Sequence, residues 1–278
     1  MNTIASNDYS DELSDATTEK SARPVFRLRS AAAAFLRWTL MLACGSGLFW
    51  LISALWLAAT GYSSSFAAWR ARPACAVASE VFTAWMGGLW LLRSTRHRWP
   101  QFWSQADALH GFGITASVPY RRLALGAIVG LALVGAEVLT DRWLLPRHAV
   151  EHSLFALAEQ SALLARMVVA CSVVTIVPLV EEVMFRGVLL TALLGYGLDA
   201  ATGSPAPTRT VIAVALTSVI FALMHGPAYA WHALPLAWTG ISGMAMACVR
   251  LRTRSLWPAV ALHATVNGIA SLGLFVTG

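Results

Sequence analysis

Three blocks in the C-terminal half of the chain carry side chains able to do chemistry together. They are Glu181 and Glu182 with Arg186 a turn later, His225 one turn after Phe221, and His263 with Asn267 four positions on. Each block lies in strongly apolar sequence, where an ionisable side chain is costly and is usually functional. Adjacent carboxylates, two imidazoles and an amide are the parts needed to take a proton from water and to hold an oxyanion. The chemistry they suggest is a hydrolysis carried out within a membrane.

Spacing suggests a division of labour. Successive residues of an α-helix are about 100° apart, so Glu181 and Glu182 cannot both face one target on a regular helix. Arg186 follows Glu182 by four residues, in the favourable order of acid before base. Glu182 is therefore expected to be neutralised by Arg186, leaving Glu181 as the general base; a Glu–Arg pair that only ties helices together fits the same spacing. Gly226 and Pro227 follow His225 at once, which puts this histidine where a helix ends or bends. Such a break is tolerated at membrane depth where the backbone lines a cavity or is buried in protein. An imidazole that merely hydrogen-bonds across helices is the plainer reading. His263 and Asn267 share one helix face and can offer an imidazole and an amide N–H to one oxyanion, although asparagine also serves as polar glue between membrane helices.

The elements that must position these groups are helices. Of 278 residues, 57% are hydrophobic and 12% charged, against roughly 25% charged in a soluble domain. The apolar segments fall at 38–60, 74–92, 123–140, 163–197, 210–231, 233–249 and 255–277. The first runs from Trp38 to Thr60 without a charge, long enough to cross about 30 Å of hydrocarbon. The expected fold is an all-α polytopic transmembrane bundle of seven helices, with eight the upper count. The fourth segment is long enough to be broken, with Pro178, Gly195 and Gly197 as the expected irregularities. Residues 1–30 read as a polar disordered tail, 31–160 as N-terminal transmembrane helices with a cytoplasmic loop, and 161–278 as the catalytic core. A retained first helix is expected rather than a removed signal peptide.

The basic residues are arginines except Lys20, and they cluster between apolar runs, which reads as topology and not as nucleic-acid binding. Basic residues in 20–29, 93–122 and 250–254 place the N-terminus in the cytoplasm and, with seven crossings, the C-terminus outside. On that topology His263 lies about 12 Å deep and His225 about 22 Å, although a shared site needs them level. Pro100 is placed to open a short helix carrying Trp99, Trp103, Ala106 and His110, either interfacial or part of a partly ordered loop. Glu80 and Glu137 are expected to pair with Arg166. Cys44, Cys75, Cys171 and Cys248 are scattered singly and read as small core residues. The chain has no glycine-rich phosphate loop and no HExxH, which weighs against an ATP-driven pump and a standard zincin.

The motifs EExxxR (Glu181 to Arg186), FxxxH (Phe221 to His225) and HxxxN (His263 to Asn267), with the run Ser255 to Val260 before His263, resemble the CPBP family of intramembrane proteases. That family includes the type II CAAX prenyl endopeptidases and the Abi-like bacteriocin-processing or self-immunity proteins. The similarity covers about residues 163 to 270. It implies a peptidase in which Glu181 activates water with help from His225, His263 and Asn267 stabilise the oxyanion, and Glu182 and Arg186 orient the site. Direct catalysis by glutamate and histidine needs no cofactor; zinc held by Glu181, His225 and His263 is the alternative. The implied partners are membrane lipid and a peptide or lipidated protein, in what the arginine-rich, lysine-poor composition suggests is a bacterial plasma membrane. Two other readings are a non-catalytic immunity or scaffold protein that binds a peptide, and a proton-coupled transporter using the same residues as a relay.

Overall fold

The computed structural model describes residues 26–61, 65–108, 110–115, 117–144, 152–196 and 206–276. The chain order is α1 (Leu28–Thr60), α2 (Phe66–Arg70), α3 (Pro73–Arg98), α4 (Pro100–Trp103), α5 (Tyr120–Leu144), α6 (Ser153–Glu159), α7 (Leu163–Val174), α8 (Ile176–Glu182), a π-helix (Val183–Leu189), α9 (Leu190–Gly195), α10 (Pro207–Met224), a 3₁₀ turn (Pro227–Tyr229), α11 (Ala233–Thr253) and α12 (Trp257–Val276). Among the described residues there is no strand, and seven helical stretches are long and apolar enough to cross a membrane, the fourth being the composite Leu163–Gly195. The architecture is the expected all-helical transmembrane bundle.

Polarity is distributed as a bilayer requires. Large apolar side chains such as Leu36, Ile128, Leu164 and Val211 are exposed on the outside, while Glu182, Arg186, Arg250 and His263 are buried within. Of the cysteines only Cys75 is buried; Cys44, Cys171 and Cys248 lie on the outer surface, which corrects their reading as core residues. Much of the expected tail lies outside the described residues, but Phe26 is buried against the rings of Trp99, Phe102 and Phe112, and α1 already begins at Leu28.

The fourth crossing breaks at Thr175, three residues before the expected proline. Pro178 lacks an N–H, and its ring crowds the carbonyl four residues back, that of Val174, where α7 ends. Thr175 takes φ −113° and ψ −80°, and its hydroxyl donates to the Cys171 carbonyl at 2.6 Å. Gly195 is the last residue of α9, and Gly197 lies outside the described residues. The π-helical turn that follows α8 has no counterpart in the sequence reading.

α12, which carries His263 and Asn267, lies along α5. Gly126 and Gly130 make that approach possible. A Cβ on Gly126 would run into the Pro258 carbonyl, and one on Gly130 would come within 2.9 Å of the Leu262 carbonyl. Four residues apart, they form the small-residue seam on which membrane helices pack closely. At one end of the bundle α4 is a single turn, and the chain after it crosses the helix ends as a strap. The Arg250 guanidinium donates to the Ala106 and Gly111 carbonyls at 2.9 and 3.0 Å, and Thr191 donates to Gly111 at 3.0 Å. Gly113 has φ +73° and lies against the Arg250 guanidinium, where a Cβ has no room.

Arg166 does not make the expected pair with Glu80 or Glu137. It donates to the carbonyls of Ser161, Leu274 and Glu159 at 3.2, 3.0 and 2.6 Å, joining the end of α6 to the last turn of α12. Carbonyls in a last helical turn have no partner within the helix, so a guanidinium is well used there.

Replacing Gly126 by Ala is expected to force α5 and α12 apart and to destabilise the protein by about 1–3 kcal/mol, the usual cost of overpacking. Thermal unfolding in detergent checks this, with Gly135→Ala, which meets nothing within 4 Å, as the silent control.

Candidate active site

The Glu181–Glu182 pair ends α8 where the helix widens. The Leu190 N–H bonds to the Phe185 carbonyl, five residues back, as in a π-helix. Such turns occur inside α-helices and frequently mark functional sites. Arg186 lies within it, fully buried, and donates through Nη1 to Glu182 Oε1 at 2.7 Å and through Nη2 to the Gly243 carbonyl at 3.0 Å. A Cβ at Gly243 would stand 3.1 Å from that Nη2, so only a residue without one lets α11 approach freely. The guanidinium also lies 4.4 Å from the Phe221 ring centroid. The pairing of Glu182 with Arg186 read from spacing is thus present, extended by α10 and α11.

Both histidines have their tautomers set by what their Nδ1 atoms touch. His263 Nδ1 lies 3.0 Å from Glu182 Oε1, and His225 Nδ1 lies 2.8 Å from the Phe221 carbonyl. A carboxylate and a carbonyl only accept, so Nδ1 carries the proton in each neutral imidazole and Nε2 presents a lone pair. The two Nε2 atoms lie 3.9 Å (His225) and 3.7 Å (His263) from Glu181 Oε2, itself buried and without a hydrogen-bond partner among the described residues. Adjacent glutamates therefore do serve one site: Glu182 reaches His263 from one side and Glu181 from the other.

The expected difference in depth between the histidines is taken up by packing. Phe221 lies against Gly243, ten residues before the end of α11 and fourteen after the start of α10, so α10 overhangs α11 by about 6 Å. The Phe221 ring meets the His263 ring at 5.7 Å and the His225 ring at 4.6 Å, and the imidazoles span the remainder. His225 caps α10, as the following Gly-Pro suggested, and the chain turns through Ala230 and Trp231 at φ 47° and 62°.

Asn267 makes the interhelical contact that its spacing also allowed. Its Nδ2 donates to the Val173 carbonyl at 2.9 Å, one of the carbonyls left open where α7 breaks. It thereby ties α12 to the broken crossing while still lining the same cavity as Glu181, His225 and His263.

That cavity, about 580 Å³, is also lined by groups the sequence did not single out for the site, among them Glu80, Glu137, His152, Tyr229 and Ser242. His152 and Tyr229 lie outside the membrane-crossing helices and carry no motif; only the return of their loops onto the bundle brings them in. Burial, and next the charge of His225, push the His152 imidazole down to about 4. Burial first, then Glu137, push the Tyr229 phenol up to about 12, so it keeps its proton.

Zinc does not fit the site as it stands. Ligands on one tetrahedral zinc with bonds near 2.0–2.1 Å are about 3.3 Å apart, closer than the 3.9 and 3.7 Å found here. Among the described residues no group of three or more His, Cys, Asp or Glu is arranged to hold a metal ion.

Two outcomes follow from this geometry. Glu182→Ala leaves the Arg186 charge buried and unpaired and is expected to cost about 3–5 kcal/mol, whereas a Glu182→Met, Arg186→Met double variant regains most of that loss in thermal unfolding. The His152 imidazole is depressed in the folded protein, so between about 6.5 and about 4 the unfolded chain binds the extra proton. Acidification from pH 7 to 5 should therefore lower the unfolding temperature, and His152→Phe should reduce that drop.

Residues 161–269 match the family model described as Type II CAAX prenyl endopeptidase Rce1-like. Neither the curated proteins nor the solved structures include a match to the chain.

Proposed function

We propose that this integral membrane protein, whose residues 161–269 match the Rce1-like model of type II CAAX prenyl endopeptidases, is an endopeptidase that hydrolyses a peptide bond of a membrane-associated or prenylated peptide, using water activated by Glu181. The observation that carries this reading is the convergence of the Glu181 carboxylate and two imidazole lone pairs within 3.9 Å in one cavity.

A water held against these acceptors gives one proton to Glu181 as its oxygen bonds to the scissile carbonyl carbon. The tetrahedral oxyanion then collapses, the C–N bond breaks, and the proton is delivered to the leaving amine. His263 is the better partner in that transfer. Its Nδ1–H rests on the Glu182 carboxylate, which stabilises an imidazolium, whereas His225 rests on a neutral carbonyl. Asn267 donates one N–H to Val173, leaving the other amide hydrogen for the oxyanion. This reassigns His263 from oxyanion donor to proton carrier, because both its nitrogens already face carboxylates. Neither the peptide-binding scaffold nor the proton relay is favoured by the family match. The arginine-rich, lysine-poor composition supports a bacterial plasma membrane as the setting.

The test is cleavage of fluorogenic peptides, prenylated and unmodified, by purified protein in liposomes with and without a chelator. Wild type should cleave with or without chelator. Glu181→Gln should lose about 10²–10⁴-fold in kcat, as for removal of a general base, and Asn267→Ala about 10²–10³-fold. Cleavage by Glu181→Gln at the wild-type rate would sink the glutamate mechanism, and chelator-sensitive activity restored by zinc would replace it with a metal-dependent one.

A further inference from the structure

Three histidines line the cavity, and they do not present the same face to it. His225 and His263 each give their Nδ1–H to an oxygen and turn an Nε2 lone pair inward. His152 is wired the other way. Its Nδ1 accepts from the Leu154 backbone N–H at 3.2 Å, an amide at the start of α6 that has no helical partner of its own. A nitrogen that accepts carries no proton, so the proton of the neutral ring is on Nε2. Among the described residues His152 Nε2 meets no hydrogen-bond acceptor.

The ring is held firmly. It stands edge-on to Tyr229 with centroids 5.2 Å apart and lies 5.6 Å from Phe155. Tyr229 belongs to the 3₁₀ turn that follows His225, so α6 and that turn meet ring to ring at the cavity wall. Protonating Nδ1 would set two N–H groups against each other at Leu154, and burial also keeps the ring neutral. Hydrolysis needs more than acceptors: an extended peptide brings backbone carbonyls into the cavity, and each one buried without a donor weakens binding.

We propose that His152 is a substrate-binding residue, a fixed Nε2–H donor that receives a backbone carbonyl oxygen of the bound peptide and aligns the chain past Glu181. The assignment rests on the peptidase reading above and places a substrate contact outside the family-matched residues 161–269. The donor must act on a group other than the attacking water, because the acceptors for that water are on Glu181, His225 and His263.

The experiment uses full-length protein and a fluorescent farnesylated peptide with a free C-terminus. KM and kcat are read for wild type, His152→Phe and His152→Gln, and the Kd of the uncleaved peptide is read for the same set in a Glu181→Gln background. Loss of one hydrogen bond should raise KM and Kd about 3- to 10-fold in His152→Phe with kcat within about twofold, and His152→Gln, which keeps an N–H, should recover most of it. In a scan of peptides with one carbonyl at a time reduced to methylene, one position should weaken binding to wild type and not to His152→Phe. Unchanged KM and Kd in His152→Phe, an equal fall of kcat and thermal stability in both variants, or a wild type that binds no probe would each overturn the assignment. If Glu181→Gln cleaves the peptide the glutamate mechanism fails, and the KM comparison of His152→Phe with His152→Gln in the otherwise wild-type protein still decides the His152 assignment.

Discussion

A guanidinium with no solvent exposure in a membrane bundle sets the terms for everything around it. Arg186 has to be matched by charge and by acceptors, since an unpaired cation in that setting costs several kcal/mol. Glu182 supplies the charge, the Gly243 carbonyl a second acceptor, and Phe221 a ring face. Those partners come from α8, α11 and α10, and Glu182 then accepts from His263 of α12. One ion pair thus fixes the mutual positions of the four helices that carry the site. Its value lies in specificity of arrangement more than in net stability, because desolvation of both charges offsets much of their attraction.

The same network decides the chemistry by deciding where protons sit. With Nδ1 of His225 and of His263 each committed to an oxygen, both Nε2 lone pairs are aimed at Glu181. Three acceptors around a small space suit a proton-donating molecule such as water. His152, with the opposite tautomer, supplies a donor from another loop of the same cavity. The acceptor faces of His225 and His263 and the donor face of His152 are set apart by what each Nδ1 touches, a backbone carbonyl, a carboxylate and a backbone N–H, not by differences in residue type.

Positioning falls to features that do no chemistry. The glycine seam of α5 lets α12 settle close enough for His263 to reach Glu182, and the break at Thr175 frees the carbonyl that anchors Asn267. The strap after α4 is held over the helix ends by Arg250, a second buried guanidinium satisfied by backbone carbonyls instead of a carboxylate. Where a membrane bundle breaks regular helix, as at Thr175 and the strap, side chains satisfy backbone groups that water cannot reach.

The sequence by itself determined the helical class, the seven crossings, the Glu182–Arg186 pair and the residues that meet in the site. These are local properties: apolar runs long enough to span hydrocarbon, and spacings of four that put side chains on one helix face. The end of α10 at His225 was legible for the same reason, in the Gly-Pro that follows it. The tertiary structure alone decided that both glutamates serve one site, because the π-helical widening and the His263 bridge arise from contacts between helices. It alone decided that Arg166 binds carbonyls instead of Glu80 or Glu137, that Asn267 anchors α7, and that His152 and Tyr229 enter the cavity. A tautomer depends on which atom lies against each ring nitrogen, and that neighbour comes from segments whose meeting no spacing along the chain records.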